Sequence, residues 1–369
     1  MISTDWRIAT LGSKEHSRMS SYATVAEELH IIVFTKREQE LSPSTSGNLY
    51  IYPTNSSKKW HYGLDAISIS RKLKKRGINV VTAQDPFETG LCAWRIAKKL
   101  KAGLQLQMHT DWFSKYYINE SFKNKIRVMI ANWLVPKAQG IRVVSQRIKD
   151  SLMSRFRLTN EPVLLPIHLD IPVTMLSARG DYLHKKFPQY GTIIVMISRL
   201  EIEKNSIMAI NALQNIVSRN SGLGLVIIGD GSYRTALEKA VEAAKLTEEV
   251  VFDGWHDNVI PYFLSADLFI NTSNYEGYGR TLIEAGSAGC PIVTTNVGIV
   301  GEVLNNENAL ISDPEDLENF TKNLEFAIKN PTIMKQKAMN AREAVTHYMS
   351  FTENDRLSIL KRSWEACVK

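Results

Sequence analysis

Two glutamates, Glu276 and Glu284, flank seven residues within the stretch Asn-Tyr-Glu-Gly-Tyr-Gly-Arg-Thr-Leu-Ile-Glu-Ala-Gly-Ser-Ala-Gly-Cys-Pro, residues 274–291. An apolar strand candidate at 267–271 precedes them. A helix is expected over 281–288, with Leu282, Ile283 and Ala285 facing a core. Glu276 then sits on the turn and Glu284 in the first turn of the helix. Between them Gly277 and Gly279 let the backbone fold tightly, leaving free amides at a helix N-terminus, a ready site for a phosphate. Carboxylates on both sides of an anion site suit a ligand that also offers hydroxyls. A sugar joined to a nucleoside diphosphate offers both.

Further chemistry lies at other strand ends. Arg199 and Lys204 follow the strand candidate 192–198 in Ser-Arg-Leu-Glu-Ile-Glu-Lys-Asn. Such a turn can aim both cations at one anion, with charge-assisted bonds of about 1.5–3 kcal/mol each. The plainer alternative is a solvated turn with Lys204 opening a helix. Gly229-Asp-Gly231 follows the strand 224–228, but position 234 is Arg where a dinucleotide fingerprint needs a third glycine. Phe252-Asp-Gly-Trp-His256 follows the strand 250–252, and Trp255 either stacks on a ligand or packs as large aromatics usually do. His109 ends the strand 104–109 and precedes Thr110-Asp111-Trp112.

The Glu276 to Glu284 pattern, with these companions, resembles the retaining glycosyltransferases of the family 4 type (glycosyltransferases group 1). The resemblance is good over about residues 190–330 and only topological before that. It implies an α/β chain of GT-B architecture, two Rossmann-like β/α/β domains facing a cleft. Glu276 would hold donor-sugar hydroxyls, Glu284 the ribose, and the amides of Gly277, Tyr278, Gly279, Arg280, Thr281 and Leu282 the diphosphate. Arg199 and Lys204 would meet the same diphosphate, Gly229 and Gly231 would form the tight turn beside the nucleotide, and Gly254 and Trp255 would lie in the base-binding loop. His109 would reach the donor sugar from the other domain. The family is metal-independent, so no metal and no cofactor beyond the nucleotide-sugar co-substrate are expected. Two departures stand out. Where many members open with a strand and a paired-Gly loop, this chain has only Leu11-Gly12-Ser13-Lys14 before a helix candidate, leaving Gly12 and Asp111 for the acceptor side. Arg280 stands where an apolar residue is common, either as a cation near the phosphates or pointing to solvent.

The elements that must position these residues alternate along the chain. Strands are expected at 29–34, 48–53, 78–82, 104–109, 141–145 and 163–166, with helices at 66–76, 91–100 and 122–134 and a further helix ending near 156. That alternation argues a parallel sheet covered on both faces. The domains read as 1–170, a linker or hinge at 171–190, where the periodicity lapses through Pro172, Gly180 and Pro188, a nucleotide-sugar domain at 191–345, and 346–369 returning to the first domain. Helices at 206–217 and 233–245 complete the second alternation.

With 369 residues and 44% apolar content the chain supports two domains with cores of their own. It has no run of about 18 uncharged apolar residues, and its start, Met-Ile-Ser-Thr-Asp-Trp-Arg, lacks the order of a signal peptide. Cys92, Cys290 and Cys367 form neither a metal motif nor a disulfide framework. The cytoplasm is the expected compartment, with the inner membrane face as a peripheral site. Residues 1–186 hold 29 Lys+Arg against 15 Asp+Glu, and the remainder 16 against 23. A basic half suits an anionic partner such as a membrane surface or a lipid-linked phosphate acceptor, or is simply a solvated surface. No basic and aromatic interleaving of an RNA-binding kind is present, which argues against nucleic acid. The helix 122–134 carries Lys123, Lys125 and Arg127 beside Phe122, Ile126, Met129, Ile130, Trp133 and Leu134. It either lies on an anionic bilayer or packs as a domain wall. The functional expectation is transfer of a sugar to a hydroxyl of a glycan or lipid-linked glycan. A GT-B nucleotide-sugar epimerase and a non-catalytic binding protein are the alternatives.

Overall fold

The computed structural model describes residues 1–169 and 180–368. The chain divides into two units, Met1–Pro166 with Phe351–Lys369, and Ile167–Ser350.

In the first unit the strands are Ile2–Ser3 (β1), Leu29–Val33 (β2), Ser44–Ser46 (β3), Leu49–Pro53 (β4), Val80–Ala83 (β5), Gly103–Met108 (β6), Gly140–Val143 (β7) and Val163–Leu164 (β8). They form one sheet in the order β3-β4-β2-β1-β5-β6-β7-β8, parallel except for β3 on β4. The chain therefore does open with a strand, contrary to expectation. It is only two residues long, too short for any periodicity to register, yet it lies centrally between β2 and β5. The helix Lys14–Ala23 follows, capped by the Ser13 hydroxyl on the His16 amide. Ile31, Val33, Leu49 and Ile51 pack with Ile8, Met19 and Ala23 on one side of this sheet.

The helix Phe122–Leu134 corrects a reading of its core face. Its buried residues are Asn124, Ala131 and Leu134, whereas Phe122, Ile126, Met129 and Trp133, spaced for one stripe, are 77%, 44%, 71% and 45% exposed. Size did not decide burial here; Asn124 and Ala131 face inward with Leu134, while the larger stripe stays out.

The second unit holds Thr192–Ile197 (β9), Leu223–Ile228 (β10), Val250–Gly254 (β11), Leu268–Asn271 (β12), Ile292–Thr295 (β13) and Leu310–Ser312 (β14). Their order is β11-β10-β9-β12-β13-β14, with each pair parallel. Residues 193–197 are all buried because helices cover both sheet faces. Met196, Leu225, Ile227 and Ile270 meet Leu213, Ile216, Leu237 and Phe320 in its core. Part of the expected linker belongs to this unit. Tyr182–Lys186 is a helix, and Leu183 is fully buried, its amide donating to Ser265 Oγ at 3.2 Å. Residues 171–179 of that linker lie outside the described residues. The helix Glu353–Glu365 belongs to the first unit and packs on β7.

Candidate active site

In the second unit, the turns after β9 and β12 are fastened to each other. Thr272 Oγ1 donates to the Lys204 and Asn205 carbonyls at 2.9 and 3.0 Å. Asn205 Nδ2 donates to Asn274 Oδ1 at 3.0 Å, and the Asn274 amide to the Glu203 carbonyl at 2.8 Å. The result is that Lys204 Nζ lies 2.6 Å from Glu276 Oε1, both side chains being largely buried. Ser273 Oγ donates to the same oxygen at 2.9 Å. Held away from bulk water, this pair interacts more strongly than a surface one. Arg199 is not part of it. Its exposed guanidinium donates to the Glu203 carboxylate at 2.8 Å.

The helix after this turn is Arg280–Ala288, one residue longer than expected, so Glu284 lies in its second turn rather than its first. Gly279 is its N-cap at φ 83°, and no side chain caps it, which leaves first-turn amides for an anion. Glu284 is 7% exposed. Desolvation raises its pKa, opposed by Arg280, whose Nε donates to Oε1 at 3.0 Å. Arg280 thus braces Glu284. Tyr278 and Leu282 turn their side chains into the core, Tyr278 with its hydroxyl 3.8 Å from Met349 Sδ. What these two offer a ligand is backbone. Thr281 is half-buried and Gly277 buried.

Two glycines permit the neighbouring turn. Gly229 has φ 139° and a Cβ there would stand 1.8 Å from the Ser198 carbonyl oxygen; one on Gly231 would stand 2.3 Å from that of Leu200. The Gly-Asp-Gly turn is therefore pressed against the loop carrying Arg199. Gly254, at φ 76°, has open space around it, and its carbonyl accepts the Gly229 amide at 2.7 Å. Trp255 is 65% exposed, so burial is not its role.

In the first unit, His109 stands just beyond β6. The strand register sets Gln105, Gln107 and Arg142 on one face with Thr82, and their hydrogen bonds run in one direction. Gln105 Nε2 donates to the Ser363 carbonyl at 2.8 Å, Thr82 Oγ1 to Gln105 Oε1 at 3.0 Å, and Gln107 Nε2 to Thr82 Oγ1 at 2.9 Å. Gln107 Oε1 is thereby left to accept from Arg142 Nη2 at 2.5 Å and from His109 Nε2 at 3.3 Å. This network assigns the proton of His109 to Nε2 and its lone pair to Nδ1. Desolvation, then the Arg142 and Arg18 cations, lower the His109 pKa. The side chain is exposed, and the two cations help keep the ring neutral at pH 7. Asp111 accepts from the Phe113 amide at 3.3 Å. Desolvation raises its pKa, and it braces its own turn. Gly12, at φ 81°, has open space around it. A cavity of about 840 Å³ at the amino ends of these strands, beside Met1, Glu28 and His30, contains none of the candidate residues.

Both units match known families. The profile described as "Glycosyl transferases group 1" covers residues 184–345 and that described as "Glycosyltransferase Family 4" covers 23–165. The match to the group 1 glycosyltransferases falls in the second unit, and the match to the family 4 glycosyltransferases in the first. Among the curated relatives of this chain are the 2-deoxystreptamine N-acetyl-D-glucosaminyltransferase of Niallia circulans, 27% identical over 47% of this chain and 46% of that one, and the alpha-monoglucosyldiacylglycerol synthase of Acholeplasma laidlawii, 22% identical over 81% and 79%. The chain spans about half the length of the first curated relatives it matches, between 42% and 52%. Among solved structures, Anabaena HepE in complex with UDP superposes with a TM-score of 0.73 at 14% identity, covering 98% of this chain and 96% of that one. Sucrose-phosphate synthase of Thermosynechococcus elongatus gives 0.77 at 18%, covering 97% and 96%. These similarities place the chain in the GT-B fold.

Sequence reading missed Ser273, Thr272, Asn274 and Asn205, which join the two turns, and the buried row Thr82, Gln105, Gln107 and Arg142. The second had a signal. Leu-Gln-Leu-Gln-Met over 104–108 alternates at the strand period, so one face was bound to be polar.

Proposed function

We propose that this chain transfers a sugar from a nucleoside diphosphate sugar to a hydroxyl of a glycan or lipid-linked acceptor, with retention at the anomeric carbon and without a metal. The single observation carrying this reading is the 2.6 Å pair of Lys204 and Glu276 beside the uncapped helix N-terminus at Gly279. On donor binding, the diphosphate competes for Lys204, and Glu276 turns to the sugar hydroxyls. The bond between the anomeric carbon and the diphosphate oxygen breaks with its electron pair going to the diphosphate. Lys204, Arg199 and the first-turn amides stabilise that charge as it builds. The acceptor oxygen bonds to the anomeric carbon on the face just vacated, and its proton passes to the departing diphosphate. Glu284, in this reading, holds the ribose, and Trp255 the base. The first unit takes the acceptor, with neutral His109 offering Nδ1 to a hydroxyl.

The exposed stripe Phe122, Ile126, Met129 and Trp133 favours a further element of the reading, peripheral attachment to an anionic bilayer. Trp94 extends it, its ring 4.8 Å from that of Trp133, and Lys98, Lys123, Lys125 and Lys137 surround it. Aromatic and aliphatic side chains would enter the interface while the lysines meet headgroups. Among the described residues no helix is long and apolar enough to cross a membrane.

The test is nucleoside diphosphate release from UDP-, GDP- and ADP-sugars with and without added hydroxyl acceptors, the product anomer being read by NMR. Release that depends on acceptor, with the anomeric configuration kept, is expected. Lys204→Ala should lower kcat by about 10²-fold or more; an effect confined to KM, or acceptor-independent turnover, contradicts the assignment.

A further inference from the structure

Arg142 is 6% exposed on β7, and its Nη1 has no hydrogen-bond partner. Gln107 Oε1 satisfies Nη2, and the Tyr22 ring lies 6.0 Å from the guanidinium carbon. Tyr22 favours the charge of Arg142, while the full charges acting on it are cations, Arg356 and Arg18. Arg356 gives one nitrogen to the Pro166 carbonyl at 2.9 Å, and Arg18 is exposed. A buried guanidinium stays charged, and leaving one of its donors unsatisfied among like charges is strongly unfavourable. Folding alone gives no reason for it. The polar row from Ser363 to Gln107 nevertheless fixes Arg142 in place, and Arg18 opens the cluster to solvent beside His109.

We propose that Arg142, with Arg18 and Arg356, forms a phosphate subsite in the first unit, so that the acceptor of this enzyme carries a phosphate group. Three guanidiniums exceed what a single carboxylate balances, and the planar fork of Arg suits phosphate oxygens. The proposal rests on the reading of the first unit as the acceptor side, and it fixes a class of acceptor: a phosphorylated polyol or a phospholipid headgroup, both presenting the same oxyanion.

Direct binding separates this idea from the transfer reaction. Glycerol 3-phosphate, glycerol and phosphatidylglycerol vesicles are titrated against wild type, Arg142→Met and Arg18→Ala. Wild type should bind glycerol 3-phosphate or the vesicles in an Arg142-dependent manner and ignore glycerol; the arm that responds names the source. Arg142→Met should weaken that binding about tenfold or more, and its melting temperature without ligand should rise, because an unpaired buried charge has gone. Arg18→Ala, changed at an exposed site and so expected to fold, should weaken it about threefold and keeps the test readable if Arg142→Met does not fold. Equal affinity in all three proteins, or no phosphate binding by wild type, overturns the proposal. Nucleoside diphosphate affinity, unchanged in both variants, keeps this outcome distinct from a failure of the donor assignment.

Discussion

Glu284 shows how a single residue can serve function against stability. Burial raises its pKa above the ordinary glutamate value, with Arg280 opposing. A carboxyl whose folded pKa is raised contributes stability that is fully present below its unfolded pKa and lost as pH rises through the folded value. At pH 7 Glu284 therefore disfavours the fold, and Glu284→Gln should raise the melting temperature by about 2 °C or more. The gain should vanish as the pH falls below the glutamate range, which a calorimetric scan from pH 4 to pH 8, in roughly unit steps, reads directly. A gain that grows toward acid would show the sign to be wrong. The types and spacing of Glu276, Arg199 and Lys204 were legible in the sequence because each lies on a turn next to an apolar run, and that of Glu284 because it follows Glu276 into the helix. Their partners were not. Lys204 and Glu276 are 72 residues apart, and nothing local says that Lys204 meets Glu276 while Arg199 meets Glu203.

At the scale of elements, the turns are constrained more tightly than the helices. Gly229 combines φ 139° with a Cβ position 1.8 Å from the Ser198 carbonyl oxygen. Gly229→Ala must therefore move the Arg199 loop or strain the turn, and should cost about 3 kcal/mol in urea unfolding; a change below about 0.5 kcal/mol would mean the turn relaxes freely. The continuous apolar strands of the second unit were readable because a parallel sheet covered on both faces needs them. The short β1 was not, since two residues carry no period. The core face of Phe122–Leu134 was legible only at Leu134: Ile126, Met129 and Trp133 fit core spacing too, yet Ala131 and Leu134 are buried and those three stay outside.

For the whole molecule, the excess of 29 Lys+Arg over 15 Asp+Glu in residues 1–186 agrees in sign with an anionic surface as partner. The exposed stripe gives that charge a place to act. Part of the charge is already engaged, since Arg127 Nε donates to both Glu88 oxygens at 3.0 and 3.1 Å. Replacing Phe122, Met129 and Trp133 by Asp should abolish sedimentation with phosphatidylglycerol vesicles and leave that with neutral vesicles unaltered at its low level; a wild type that never sediments would remove the membrane from the account. Composition could announce the charge, but only the fold could show which apolar residues remain in water.

The central claim is that the second unit binds a nucleoside diphosphate through Glu284 and the amides after Glu276. Its most direct test is calorimetric titration of the purified protein with UDP, GDP and ADP in EDTA, repeated on Glu284→Ala. The account predicts binding of one diphosphate without metal, weakened by about 1.5–3 kcal/mol in the variant. Equal affinity in both proteins, or no diphosphate bound at all, would contradict it.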